Sequence, residues 1–246
     1  MNAIGVIPAR LGSTRLAKKV LLDIAGKPML RHVWERAKKA SLLDDVIIAT
    51  DDKTVMDVAQ RFGAKAVLTS TGHKTGTDRI TEVVNPLDVK VVVNIQADEP
   101  LIHPAMINAL ASELLNNPSL VMATLAKKIT DEKDIHDPNI VKVIMDKEGF
   151  ALYFSRASIP YNRGAESGLF MTQSHYKHIG IYAYTKDFLF TYTNMPLSKL
   201  EQIEKLEQLR VLENGYKIKV IETVYDTMSI DTQEDLDRVR SLLGVK

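Results

Sequence analysis

Two hydrophobic periodicities alternate along the first half of the chain. Short, continuous apolar runs are typical of strands that a parallel sheet buries on both faces. They predict strands at 3–7, 46–49, 66–68 and 91–95. Between them, apolar residues recur at helical spacing, which predicts helices at 28–40, 54–62, 77–84 and 104–115. This β-α-β order predicts an α/β fold in which helices cover both faces of a mostly parallel, twisted sheet, giving three layers.

The rhythm changes after about Val121. Strands are predicted at 121–125, 141–145, 151–154, 176–184 and 217–223, the first three joined by charged turns without amphipathic helices between them. Long helices are predicted at 201–214 and 232–243. The glycine-containing stretch 162–173 is irregular, and we expect it to project from the core as an arm. The economical interpretation is a single domain over 1–246 with an excursion at about 150–180.

Composition narrows the class of protein. The chain has 246 residues, and its 45% hydrophobic residues are enough for a sizeable core. The 32 lysines and arginines nearly cancel the 31 aspartates and glutamates, so no global basic field would recruit nucleic acid. There is no cysteine, which excludes disulfides, thiolate catalysis and thiolate zinc sites. We expect no membrane insertion, no signal peptide and a cytoplasmic location.

A basic loop follows the first predicted strand. It contains Arg10, Arg15, Lys18 and Lys19 with a glycine and two hydroxyl residues, and Pro8 removes an amide donor where the strand ends. Such a loop can wrap amides and cations around a polyphosphate, with arginine as a planar fork and lysine as a point charge. A solvated basic turn is the alternative interpretation, and the loop alone does not exclude it.

A second polar cluster, 94–100, follows the most apolar predicted strand. Strand carboxyl ends line the ligand crevice of an open parallel sheet, so Asp98 is expected to face ligand. A carboxylate there suits Mg²⁺, which takes one or two protein carboxylates together with substrate phosphates. The alternative is that Asp98 only caps the turn before Pro104.

Two further segments are ambiguous by themselves. Asp231 or Thr232 would make a good N-cap for the last helix, and spacing favours that structural role unless the helix start faces Asp98. The segment 71–79 has two glycines and several hydroxyls that would permit close approach to a base or ribose. It could equally be a connector in which Thr77 caps a helix.

Familiar nucleotide and hydrolase signatures are missing. The chain has no Gly-x-x-x-x-Gly-Lys-Ser/Thr, no Gly-x-Gly-x-x-Gly and no Gly-x-Ser-x-Gly. A kinase-type, dehydrogenase-type or hydrolase-type site is therefore not supported.

Seven segments in order resemble the 3-deoxy-manno-octulosonate (Kdo) cytidylyltransferase family. They are IPARLGSTRLAKK, HKTGTDRITE, NIQADEP, ALYFSRASIPY, KHIGIYAY, KLEQIEKLEQLRVLENG and IDTQEDLDRV. The resemblance runs from about Ile4 to Val239. The first and third segments are shared widely by acid-sugar cytidylyltransferases, whereas the fourth to sixth are more specific to the Kdo branch.

The resemblance implies a fold similar to nucleotide-diphospho-sugar transferases and a transfer of CMP from CTP to the 2-hydroxyl of Kdo, for lipopolysaccharide synthesis. It implies triphosphate binding by Arg10, Arg15 and Lys19, and Mg²⁺ binding by Asp98 and Asp231. Lys19 joins the two aspartates as an expected catalytic residue. The weaker nucleotide-binding candidates are Gly76, Thr77 and Arg79.

For the acid sugar, the resemblance implies a pocket of Gln96, Arg156, His178, Tyr182 and Glu207. Arg156 would be the carboxylate partner. Without the resemblance, Tyr182 could be plain core and Glu207 part of a solvated helix face. The region 150–180 resembles the family's β-rich dimerisation arm, so a homodimer is expected. Alternatives are another acid sugar, such as 8-amino-Kdo or a sialic-type acid, and a non-catalytic nucleotide-binding protein.

Three positions depart from the family's usual pattern. Ala17 and Lys18 stand where Pro-Gly is usual, which predicts a less tightly turned phosphate loop. Ala97 replaces a common glycine, which disfavours a positive φ there. The residues before Asp231 lack a usual glycine, so the placement of Asp231 is the least secure expectation.

Overall fold

The computed structural model describes residues 1–12, 16–163 and 175–244. The strands in these ranges are β1 (Ala3–Pro8), β2 (Asp23–Ile24), β3 (Lys27–Pro28), β4 (Asp45–Thr50), β5 (Lys65–Leu68), β6 (Val91–Asn94), β7 (Met122–Lys128), β8 (Lys142–Met145), β9 (Ala151–Ser155), β10 (Tyr176–Thr185) and β11 (Lys219–Glu222). The helices are α1 (Met29–Ala37), α2 (Lys53–Arg61), α3 (Gly76–Val84), α4 (Pro104–Asn116), α5 (Glu132–His136), α6 (Lys186–Thr193), α7 (Lys199–Glu204), α8 (Leu209–Glu213) and α9 (Gln233–Leu242). A 3₁₀ turn spans Lys19–Leu21.

A mixed sheet organises the fold. Its order is β11-β7-β10-β6-β1-β4-β5, and β8 joins β10 to β9 at one side. Strands β6, β1, β4 and β5 run parallel, as β11 and β7 do, whereas β10 runs antiparallel to both β6 and β7. The carboxyl ends of β1, β4 and β6 therefore meet at one edge, where a parallel sheet opens its ligand crevice.

Apolar side chains fill both faces of the sheet. On one face, buried residues of α1, α2 and α4 form a single cluster with the strands, including Leu30, Val55 and Leu110. On the other face, α3, α6 and α8 contribute Ile80, Leu189 and other buried residues to a second cluster. Each fully buried aliphatic side chain of this kind contributes about 1.5–3 kcal/mol to the hydrophobic stabilisation. The three-layer α/β architecture predicted from the sequence is thus confirmed.

The elements of the first half form where the hydrophobic pattern predicts them. Helix α3, however, begins one residue earlier than predicted, and its N-cap is Thr75 instead of Thr77. The Thr75 hydroxyl accepts from the Asp78 amide while the Asp78 carboxylate accepts from the Thr75 amide, a reciprocal capping box. Because Thr75 does the capping, the Thr77 hydroxyl donates across the cleft to Glu207 Oε2 at 3.4 Å.

The predicted continuous helix 201–214 is wrong. The chain forms α7, leaves the helix at Lys205 in a left-handed conformation with φ 57°, and resumes helix only at Leu209 in α8. No glycine or proline marks this break in the sequence. It allows Leu206 and Leu209 both to be buried and brings Glu207 to the edge of the cleft.

The expectation of no helix between the first three of the later strands is wrong for one connection, because α5 lies between β7 and β8. Helix α6, which follows β10, was not predicted. Both helices are short and carry their own caps from Asp131 and Thr185. Strands β9 and β10, which bound the predicted arm, pair within the main sheet through β8. Most of the irregular stretch 162–173 lies outside the described residues.

Candidate active site

A polar cavity of about 330 Å³ opens at the carboxyl ends of β1 and β6. It collects residues from five distant parts of the chain: the basic loop, the segment before α3, the end of β6, the segment before α8 and the segment before α9. Its lining consists of Pro8, Arg10, Gly12, Lys19, Val20, His73, Lys74, Thr75, Gly76, Arg79, Gln96, Ala97, Asp98, Glu207 and Asp231. Cations and carboxylates thus face one another inside a single crevice.

Lys19 bridges the two aspartates at the floor of this cavity. Its Nζ lies 2.7 Å from Asp98 Oδ2 and 2.8 Å from Asp231 Oδ1. Lys19 is only 9% exposed, so its charge has lost most of its contact with water. Burial alone would lower the pKa of the ammonium, but the two carboxylates outweigh that effect and raise the pKa above its ordinary value. Lys19 therefore remains a fixed cation.

Asp231 is held in place by the start of α9. Thr232 is the N-cap, and the Asp235 carboxylate accepts hydrogen bonds from the amides of both Asp231 and Thr232. Of the two N-cap candidates that the sequence offered, Thr232 therefore caps the helix and Asp231 does not. Ile230 is fully buried with residues of β2 and α9, which anchors this segment in the core. Asp231, the least secure of the expected site residues, thus reaches the site.

The turn that delivers Lys19 is tight in spite of its sequence. Lys18 adopts φ 54°, a left-handed conformation that glycine enters readily and other residues enter at a cost. The expectation of a looser phosphate loop is therefore not met at this residue. Among the described non-glycine residues, a positive φ occurs at Lys18, Ala25 and Lys205, so Ala97 has ordinary backbone geometry as its side chain requires.

Of the nucleotide-binding candidates, Arg10, Lys19, Gly76 and Arg79 line the cavity. A Cβ at Gly76 would lie 3.2 Å from Pro8 Cγ, so a side chain there would crowd the wall of the crevice. Thr77 is adjacent to this wall and faces Glu207. Arg15 lies outside the described residues.

Arg79 lines the cavity but is committed to the protein. It is 3% exposed, its Nη2 donates to Asp51 Oδ2 at 2.7 Å, and its Nη1 donates to the Thr69 hydroxyl. These contacts tie α3 to the ends of β4 and β5. The geometry therefore indicates that Arg79 positions the loop before α3, and its contact with the nucleotide stays a prediction.

The expected sugar-binding residues are only partly assembled around the cavity. Gln96 and Glu207 line it, whereas Arg156, His178 and Tyr182 are not among its lining residues. Desolvation is the main cause that raises the pKa of Glu207, and Arg210 opposes the shift. Desolvation is also the main cause that raises the pKa of Tyr182. The nearby Glu207 charge raises it further.

His178 and Tyr182 belong to an aromatic group on the same side of the sheet. Their ring centroids are 5.4 Å apart, and His178 packs edge-on against Phe154 at 4.9 Å. Desolvation lowers the pKa of His178 to about 3, so the imidazole is neutral at physiological pH. The Nε2 atom of His178 and the Thr124 hydroxyl form a hydrogen bond of 2.9 Å.

Arg156 makes backbone contacts at the end of β9. Its Nε donates to the carbonyl of Glu204 at 2.9 Å, and its Nη1 donates to the carbonyl of Pro138 at 2.9 Å. A guanidinium has five N–H donors, and these two bonds fix the orientation of its plane. Contact between Arg156 and a sugar carboxylate stays a prediction.

Sequence reasoning gave Glu99 no role, although it follows Asp98 directly. Glu99 is 6% exposed, and its Oε2 has no hydrogen-bond partner. Burial, with a smaller contribution from the Asp98 charge, raises the pKa of Glu99 to about 8. The only sign of Glu99 in the sequence was its position next to another carboxylate, Asp98. The burial that keeps Glu99 neutral near pH 7 can be seen only in the fold.

Asp98 and Asp231 fit a hard divalent cation by the chemistry of their donors. Mg²⁺ typically takes one or two protein carboxylates and completes its shell with phosphate oxygens and water. In the parts of the chain that the structure describes, no group of three or more histidines, aspartates and glutamates is gathered as a metal site. The aspartate pair is therefore suited to a cation that also needs oxygens from its substrates.

An α/β nucleotidyltransferase-like fold with a polar cavity at the sheet edge defines the broad class of this protein. A family model described as Cytidylyltransferase matches residues 4–218. A relative from Solibacter usitatus, a 3-deoxy-manno-octulosonate cytidylyltransferase, is 49% identical over 97% of this chain and 93% of its own. A second, from Trichlorobacter lovleyi, carries the same name and is 46% identical over 98% of each chain.

Solved structures agree with the sequence relatives. The structure of a CMP:2-keto-3-deoxy-manno-octonic acid synthetase complexed with CTP matches with a TM-score of 0.93 and 42% identity, over 99% of both chains. The chain belongs to the 3-deoxy-manno-octulosonate cytidylyltransferase family, as its sequence segments indicated.

None of the described helices is both long enough and apolar enough to cross a bilayer.

Proposed function

We propose that this protein transfers CMP from CTP to the 2-hydroxyl of Kdo, releasing pyrophosphate and supplying CMP-Kdo for lipopolysaccharide synthesis. The observation that carries this proposal is the contact of Lys19 with both Asp98 and Asp231 inside one polar cavity. A fixed cation beside two carboxylates can attract a triphosphate and still leave oxygen ligands for a divalent ion. Family membership supports the same activity.

The triphosphate would bind along the basic loop. Arg10 is exposed and lines the cavity, so its planar fork is available to phosphate oxygens, while Lys19 supplies a point charge at the floor. Charge-assisted hydrogen bonds are worth about 1.5–3 kcal/mol each, so the two cations would supply a large part of CTP affinity. Arg15 is assigned the same role from the sequence. Gly76 and Thr77 would approach the nucleoside.

Asp98 and Asp231 would hold Mg²⁺. When bound, the ion would offset repulsion between the two anionic substrates and lower the pKa of the attacking hydroxyl. Both carboxylates already contact one ammonium, that of Lys19, so their oxygens converge on a common point.

The acid sugar would bind at the end of the cavity formed by Gln96 and Glu207. Arg156 would pair with its carboxylate, and Glu207, His178 and Tyr182 would bind its hydroxyls. His178 is neutral at physiological pH, so it suits a hydroxyl better than a carboxylate.

The reaction is a direct displacement at the α-phosphorus. The sugar 2-hydroxyl oxygen forms a bond to the α-phosphorus as the bond to the oxygen bridging the β-phosphate breaks. Pyrophosphate carries away that electron pair, and the hydroxyl proton passes to solvent. Positioning and charge stabilisation by Arg10, Lys19 and the aspartates would supply most of the acceleration, as in other phosphoryl transfers.

The proposal includes a homodimer formed through the region 150–180 of a single-domain chain. Its support is the exposure of large apolar side chains near this region: Leu152 is 60%, Tyr161 is 88% and Ile203 is 66% exposed. Light scattering of the purified protein should give twice the mass of one chain. A monomer would overturn this part alone. A cytoplasmic location follows from the use of CTP, an intracellular nucleotide.

Pyrophosphate release tests the activity directly. The assay should pair CTP, UTP, ATP and GTP with Kdo, 8-amino-Kdo and a sialic acid, each with and without Mg²⁺. CTP with Kdo and Mg²⁺ should give the highest kcat/KM. A higher kcat/KM with 8-amino-Kdo or a sialic acid would identify that compound as the substrate in place of Kdo. CTP binding without turnover of any acid sugar would favour the non-catalytic alternative.

A further inference from the structure

Glu204, the last residue of α7, joins the end of β9 to the break that follows α7. Its carboxylate accepts from the Ser155 hydroxyl through Oε1 at 2.6 Å and from the Arg156 amide through Oε2 at 3.0 Å. Its own carbonyl accepts from Arg156 Nε at 2.9 Å. Three hydrogen bonds from two adjacent residues thus converge on one side chain and its backbone.

The carbonyl contact uses a group that a helix end leaves open. The last carbonyls of an α-helix lack intrahelical partners and need donors from elsewhere. For Glu204 the donor is the guanidinium of Arg156, whose Nη1 also binds the carbonyl of Pro138. The plane of the Arg156 fork is therefore set by the position of the end of α7.

The chain turns away from the helix directly after Glu204. Lys205 has φ 57° and ψ 45°, and its amide still donates to the Glu201 carbonyl at 2.8 Å. This left-handed residue redirects the backbone, so that Glu207 reaches the cavity and faces Thr77. Any shift of the end of α7 would move Glu207 as well.

We propose that Glu204 is a positioning residue that sets Arg156 and Glu207 in register with each other, and so determines affinity for the acid sugar. This inference rests on the proposed function, because it takes Arg156 and Glu207 as sugar-binding residues. Glu204 itself does not line the cavity. It acts by fixing the ends of the two elements that carry Arg156 and Glu207.

Kinetics of the purified protein with CTP, Mg²⁺ and Kdo test the proposal. Glu204→Ala removes both carboxylate contacts and should raise KM for Kdo by about tenfold or more, since small misplacements of binding groups are costly. KM for CTP should change by less than about twofold, because the Glu204 carboxylate bonds to Ser155 and Arg156 at the end of β9 and Glu204 does not line the cavity. Glu204→Gln can still accept from the Arg156 amide and donate to Ser155, so it should restore most of the sugar affinity.

A matched control separates positioning from loosening of the α7–α8 pair. Glu213 in α8 accepts from the Leu200 amide at 2.9 Å, so Glu213→Ala also removes a carboxylate contact between these helices. It should leave KM for Kdo near the wild-type value. Equal effects of the two alanine variants, or an equal rise of KM for CTP and Kdo in Glu204→Ala, would overturn the proposal.

Hydrogen exchange tests the coupling without relying on turnover. Glu204→Ala should accelerate exchange both at 155–158 and at 205–209, whereas Glu213→Ala should spare 155–158. Unchanged exchange at either segment in Glu204→Ala would overturn the coupling. A wild-type protein that fails to use Kdo, but shows this paired change, would contradict the proposed function and not the mechanical link.

Discussion

The backbone amide of Ile230 donates a 3.0 Å hydrogen bond to the carbonyl oxygen of Asp98. This bond joins the end of β6 to the segment before α9, two parts of the chain that are far apart in sequence. It places Asp231 beside Asp98, and Lys19 then reaches both carboxylates. The placement of the candidate reaction centre therefore depends on a backbone contact that no side-chain motif predicts.

Asp98→Asn should lower turnover by about a hundredfold or more, since the loss of a single electrostatic group at a reacting centre has effects of that size. The fold should persist, because Lys19 keeps Asp231 as a partner. Steady-state kcat with CTP and Kdo is the measurement, and a thermal melt checks folding.

Asp226 provides the matched control for that experiment. Its carboxylate also contacts two lysines, Lys127 and Lys177, but it lies outside the lining of the cavity. Asp226→Asn should leave kcat within about twofold of wild type, because it removes an exposed charge that lies outside the lining of the cavity. Comparable losses in the two variants would contradict a special role for Asp98.

Lys19→Met should weaken CTP binding by about tenfold, because a buried cation at the floor of the triphosphate site is replaced by an apolar side chain. Calorimetric titration of CTP measures this affinity. Lys27→Met, which removes a lysine paired with Glu35 elsewhere, should not change it. Unchanged CTP affinity in Lys19→Met would remove Lys19 from the triphosphate site.

The same variant should bind Mn²⁺, used as a probe for Mg²⁺, more tightly in the absence of nucleotide. In the wild-type protein the Lys19 ammonium offsets part of the negative charge of the two carboxylates, and its raised pKa keeps it charged across the physiological range. Lys19→Met removes this positive charge from beside the carboxylates, which should raise Mn²⁺ affinity by about tenfold. Weaker Mn²⁺ binding in the variant would show that the aspartates do not form the cation site.

His178 should make the protein less stable in acid. Its pKa falls from an unfolded value near 6.5 to about 3 in the folded state, so the unfolded chain binds more protons between these values. The neutral His178 costs no stability above pH 6.5. As the pH falls, the free energy of unfolding decreases, and this loss reaches up to about 2 kcal/mol at pH 5. Denaturant unfolding at pH 7.5 and 5 should show a smaller loss for His178→Gln. An identical loss of stability in the wild-type protein and in His178→Gln would contradict the lowered pKa of His178.

Lys18→Gly should raise the free energy of unfolding by up to about 1 kcal/mol, because glycine adopts the left-handed conformation of this turn without steric cost. Lys38 is an exposed lysine in the right-handed region, with φ −62°, at the end of α1. Lys38→Gly should instead lower stability by about 0.5–1 kcal/mol. Denaturant titration of both variants measures the difference, and destabilisation by Lys18→Gly would refute the strain at Lys18.

The sequence predicted features that depend on local pattern. The fully apolar run of β6 and the helical stripe of α1 were identifiable because burial imposes a regular period. Arg10, Lys19, Gln96 and Asp98 could be assigned to one crevice because parallel strands end at a common edge.

Features decided by tertiary contacts escaped the sequence. The break at Lys205 lacks glycine and proline, and packing of Leu206 and Leu209 overrides a helical pattern. The ion pair of Arg79 with Asp51 could not be predicted either, because the two residues are distant in sequence. In each case the deciding contact joins residues from different elements, which no local spacing encodes.

The central claim is that Asp98 and Asp231 act together at one reaction centre, and a double-mutant cycle tests it most directly. The kcat for CTP and Kdo should be measured for Asp98→Asn, Asp231→Asn and the double variant. If the two carboxylates work as a unit, the double variant should lose little more activity than the worse single variant. Losses that multiply would show two independent roles and would contradict the account.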